Sequence, residues 1–155
     1  MALWPGVAAA QGPSGVTPYD GLTAAQRRLL HGWPSGTYDA APEAFRVAFG
    51  HVTARLSSLL LSDPENGEVL GSALDLVESV EPLDRQPVIG DAPSTLQLAV
   101  TLASGARDRL RRSGEFQRVS DGAPDRVEFL HEGPPAVRIS ADSRGSAALV
   151  IVQTR

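Results

Sequence analysis

Phe45, Phe49, Val52, Leu56 and Leu59 recur at alternating steps of four and three residues, which sets them on one stripe of an α-helix. Arg46, Gly50, Thr53 and Ser57 fall on the other side. Pro42 suits the first turn, where its missing N–H is harmless, and the run Leu59, Leu60, Leu61 closes the pattern. Asp63-Pro64 then reads as the N-cap and first-turn proline of a further helix. Its expected buried face is Val69, Leu70, Ala73, Leu74, Val77 and Val80, with Glu65, Glu68, Asp75 and Glu78 toward water. Two helices so closely linked are expected to pack as an antiparallel hairpin. A shorter helix is predicted ahead of them over Thr23–His31, capped by Thr23 and ended by Gly32 and Pro34.

Residues 81–94, EPLDRQPVIGDAPS, form a proline-rich connection. The next stretch, TLQLAVTL, carries two patterns. Leu96, Leu98, Val100 and Leu102 alternate as in a strand, whereas Leu96, Ala99, Ala103, Ala106 and Leu110 make a helical stripe between Ser94 and Gly114. Continuity with the helix-favouring RDRLRR tips the expectation toward helix. Beyond Gly114 the period is two: Val127 and Phe129, then Val137 and Ile139, alternate with polar residues, and turn signals separate the runs. In the last run Leu149, Val150, Ile151 and Val152 are apolar on both faces. That strand should be central in its sheet or covered on its second face.

The expected class is α+β: an N-terminal helical half, a helical hairpin plus a further helix, packed on a C-terminal antiparallel β-meander of about four strands. Residues 1–20 are rich in Gly, Pro and Ala without periodicity and read as an arm, flexible or docked on a partner, that carries Trp4 and Tyr19. Residues 21–155 read as one domain, helical over 21–113 and β over 115–155. At 155 residues the chain is long enough to bury a substantial core.

Composition removes several function classes. The chain has fourteen basic residues, all arginine, and neither lysine nor cysteine. A P-loop lysine, a Schiff-base lysine, a thiol nucleophile, a disulfide and cysteine-ligated zinc are therefore excluded. Asparagine, isoleucine and tyrosine are scarce too, so the missing lysine reads as the mark of a high-GC genome rather than of a mechanism. The net charge is −4, acidic over residues 1–106 and basic over 107–155. An acidic total makes nucleic acid an unlikely partner, while unlike halves permit contact between neighbouring subunits. No apolar run approaches the ~20 residues of a membrane span. The opening MALWPGVAAAQGPSG has no basic region, and Pro5 and Gly6 interrupt it, so no signal peptide and a cytoplasmic site are expected.

Positive chemical signatures are few. His31, His51 and His131 show no metal-ligand spacing, G-x-S-x-G is absent, and the paired acids Glu65/Glu68 and Glu78/Glu81 lie at spacings of ordinary solvated faces. No cofactor and no metal is implied. Arg107, Arg109, Arg111 and Arg112 form the one dense charge cluster; they complement a helix C-terminus or anchor a carboxylate or phosphate. Trp33, in HGWPSGTY near Tyr38, either plugs the helical core or anchors a partner. These features point to a non-catalytic assembly or adaptor subunit of a larger complex, homo- or hetero-oligomeric, of which a phage or phage-tail-like particle is one example. Trp4, Tyr19, Trp33 and the four arginines are its expected partner-binding residues. Two alternatives stand beside it: a small hydrolase or transferase using His51 or His131 with a carboxylate, and a regulatory module that binds an anion through the arginines.

Overall fold

The computed structural model of the chain describes residues 16–87, 95–119, 125–134, 136–142, 144 and 146–153. Its first helix, α1 (Ala24–Leu29), is set by a reciprocal cap. Gln26 N donates to Thr23 Oγ1 and Thr23 N to Gln26 Oε1, at 3.0 and 2.9 Å. The Gln26 amide then donates to Thr53 Oγ1 at 2.8 Å, so the cap that starts α1 also docks it on the main helix. After the one-turn α2 (Thr37–Ala40), entered through Gly36 at φ +85°, comes the long α3 (Glu43–Ser58). Phe45, Phe49, Val52 and Leu56 are buried as their spacing predicts. Removing such a stripe from water stabilises by about 1.5–3 kcal/mol for each large side chain.

The run of leucines does not extend α3. Leu59 ends the helix with extended backbone, and Leu60–Ser62 is strand β1, paired with β2 (Val69–Ser72). The predicted third helix is therefore replaced by β2, one 3-10 turn over Ala73–Leu76 and strand β3 (Val77–Val80). Gly67 and Gly71 explain why. Both have positive φ, at +75° and +92°, a conformation that glycine supplies and that a continuing helix cannot contain. Asp63 caps no helix; its carboxylate accepts from Glu65 N at 2.8 Å within the β1–β2 turn. The helical stripe was partly mimicry, since Val69, assigned to its buried face, is 72% exposed.

Residues Thr95–Leu102 resolve as strand β4, and the helical pattern begins only afterwards, in α4 (Ala106–Arg112) behind Gly105 at φ +80°. Strands β5 (Gln117–Val119), β6 (Arg126–His131), β7 (Val137–Asp142) and β8 (Ala147–Gln153) form the expected antiparallel meander. β4 then pairs with β8 over seven residues, and β3 with β4, giving one antiparallel sheet of order β3-β4-β8-β7-β6-β5. β8 is thus central, as its continuous apolar run requires.

Register divides the sheet into two faces. Leu98, Val100, Leu102, Phe129, Val137, Ile139, Val150 and Val152 point inward and are buried against α3 and its neighbours. The other face presents Thr95, Gln97, Ala99, Leu149, Ile151, Arg138, Ser140 and Leu130, and no described helix packs on it. Among the described residues no helix is long and apolar enough to cross a membrane.

Candidate protein-interaction site

Tyr19 and Trp33, on either side of α1, meet in one cleft. Trp33 is fixed at two points: its indole N–H donates to Val80 O at 3.1 Å, and its ring stacks on Phe45 at 5.5 Å and 25°. The ring both plugs the core edge and keeps part of its surface outside. Tyr19 N donates to Asp39 Oδ1 at 2.9 Å, which brings the Tyr19 ring to 6.3 Å from that of Tyr38. Tyr38 in turn meets Phe49 edge-on at 5.4 Å, and burial pushes its phenol up to about 12. The resulting cleft, about 410 Å³, is lined by Tyr19, Asp20, Leu30, Trp33, Tyr38 and Asp39 with the Pro34–Gly36 loop. Trp4 lies outside the described residues.

The four arginines sit on α4 but do not converge. At 100° per residue, Arg107 and Arg111 share one side, Arg109 and Arg112 another. Arg112 turns inward onto its own chain, donating to Asp63 Oδ2 at 3.2 Å and Glu68 Oε1 at 2.5 Å. These carboxylates raise its already high pKa further. Arg111 pairs with Asp108 at 3.3 Å, and Arg109 donates to Ser104 O at 3.4 Å. Charge complementarity between the basic segment and the acidic Glu65–Glu78 region is thus met, at Glu68, within one molecule.

The outer face of the sheet is the larger surface. Leu149 and Ile151 lie at its middle on β8, flanked by Ala99 and Gln97 of β4 and by Ser140 and Arg138 of β7. Arg138 donates to Glu128 Oε1 at 2.8 Å across the β6–β7 pair. One end of the face hollows to about 640 Å³ between Thr95, Leu130, Glu132, Arg138, Ile151 and Gln153. The residues of this face were legible as apolar or polar, but that no described helix covers it was not. The one sequence signal for it is the two-sided apolar run in β8. Elsewhere Leu60 and Val69 stand out from the β1–β2 hairpin, 67% and 72% exposed.

Of the histidines, His131 has defined chemistry. Its Nδ1 lies 3.0 Å from Glu115 O; a carbonyl only accepts, so Nδ1 carries the proton and Nε2 is left basic. His131, Arg55 and Ser58 line a cleft of about 190 Å³. Ser58 Oγ donates to Arg55 O at 2.9 Å, and none of the described lining residues is a carboxylate. His51 is separate on α3; its Nε2 is buried without a described partner, and burial, then Arg55, lowers its pKa. No cluster of potential metal ligands occurs among the described residues.

Comparison with family models, curated proteins and solved structures returns no match to this chain.

Proposed function

We propose that this protein is a non-catalytic assembly subunit that associates with a second copy of itself through the outer face of the six-stranded sheet. The observation that carries this reading is the placement of Leu149 and Ile151. They occupy the central strand, on a face that no described helix covers. An antiparallel sheet tolerates a wetted face when that face is polar, and here its centre is aliphatic.

Size supports the reading. Six strands about 4.8 Å apart, averaging about 19 Å in length, give roughly 550 Å² per copy and about 1,100 Å² for a pair. Specific interfaces need about 1,000 Å² or more. Charge supports a self-complementary contact: Arg126, Arg138, Glu128 and Glu132 put both signs along the β6–β7 side of the face, as a two-fold interface requires. The arm with Trp4 is a second proposed contact, and a phage-like particle is one setting for such a subunit.

Sedimentation or light scattering over a range of concentrations tests this. The wild type is expected to dimerise or assemble further, and Ile151→Arg to remain monomeric with unchanged circular dichroism. A wild type that is monomeric throughout overturns the reading. Deleting residues 1–18 separates the arm: unchanged assembly size would remove its role.

His131 favours a second reading, a small hydrolase with Nε2 as general base. A simple ester turned over by the wild type and not by His131→Gln would support it. Equal rates would end it.

A further inference from the structure

The Tyr19–Trp33 cleft belongs to the helical layer, not to the outer sheet face, and it carries an inference independent of self-association. We propose that it is a binding site for a guanidinium group, the side chain of an arginine on an extended segment of another protein.

Three observations converge. The Trp33 indole is held by its bond to Val80 O and by the Phe45 ring against it, yet it also lines the cleft. A ring already fixed in this way loses little freedom when a ligand stacks on it. Tyr19 and Tyr38 add two more aromatic rings to the same wall. The charged side chains among the lining residues, Asp20 and Asp39, are both acidic. Neither forms an ion pair among the described residues: Arg27 is spent on the carbonyls of Asp20 and Leu22, Arg46 on that of Ala41. One Asp39 oxygen accepts from Tyr19 N, which holds the carboxylate at the cleft wall.

Aromatic faces with adjoining carboxylates attract cations through ring quadrupole and charge together. They favour guanidinium over ammonium because a planar ion stacks on the indole while its N–H groups reach the carboxylates. An anionic ligand would meet the like charge of both lining carboxylates.

The test uses the full-length chain and a short capped peptide, N-acetyl-Gly-Arg-Gly-amide, with the citrulline peptide as a neutral match of the same shape. The Trp33 indole N–H resonance, told from that of Trp4 by Trp4→Phe, is followed by NMR. A saturable shift with the arginine peptide, weaker by roughly tenfold with citrulline, is expected. Asp20→Asn should weaken binding severalfold without changing the melting temperature. An unmoved indole resonance, or equal binding of the citrulline peptide, would overturn the proposal. Because the readout is peptide binding and not assembly size, it holds equally in the monomeric Ile151→Arg variant.

Discussion

The Arg112 guanidinium donates to the Asp63 carboxylate at 3.2 Å, tying α4 to the turn that joins β1 and β2. Asp63 is nearly buried, and its other oxygen accepts from Glu65 N. One arginine thus closes a turn through which the chain passes 49 residues earlier. Arg112→Gln should lower the urea midpoint and speed amide exchange across residues 63–68. Arg111→Gln, whose partner Asp108 is exposed, should leave both unchanged. Equal effects of the two changes would mean that Arg112 acts through net charge alone.

Gln86 substitutes for a piece of strand. Its side-chain amide donates to Ala99 O at 3.0 Å and accepts from Ala99 N at 2.9 Å, extending the sheet edge past the end of β3. Gln86→Ala leaves both groups of Ala99 without that partner and is expected to cost about 1 kcal/mol, read from urea unfolding. Gln86→Glu retains the acceptor but sets a carboxylate oxygen against the carbonyls of Ala99 and Glu81, and should be no more stable than the alanine variant at pH 7.

His51 makes stability depend on acid. Its folded pKa is lowered, by burial first and by Arg55 second, so below about 6.5 the unfolded chain takes up a proton that the folded chain refuses. Stability is therefore fully present above that value and falls as pH drops toward the lowered folded pKa. His51→Leu should flatten this limb and match or exceed the wild type at pH 7, since it also removes a buried nitrogen without a described partner. An unchanged acid limb, measured by urea midpoints between pH 7 and 5, would count against it.

Tyr38 sets the alkaline limb. With its phenol raised to about 12 by burial, the folded chain holds a proton that the unfolded chain releases near 10. Stability should decline as pH rises between about 10 and 12. Tyr38→Phe should remove that slope, as followed by urea midpoints alongside phenolate absorbance of the wild type.

Much of the fold follows from local pattern. The stripe Phe45–Leu56, the Thr23 cap and the alternation beyond Gly114 each commit a segment through its own periodicity and nearby hydrogen bonds. Composition likewise settled, without any structure, that every fixed positive side chain is an arginine.

Residues 69–80 and 95–102 were different: the first carries a helical spacing, the second satisfies helix and strand alike, and in both a strand is realised only by a partner far away in sequence. β4 becomes a strand by pairing with β8, and β3 by pairing with β4; Gly67 and Gly71 then show which turns the backbone had to make. The same distance separated residue type from role. That Trp33 and Tyr19 share a cleft with two carboxylates, that Arg112 pairs with Asp63 of its own chain, and that Leu149 and Ile151 face away from α3 are outcomes of tertiary contact. Burial and charge pairing depend on which side chains meet, and no local period encodes that.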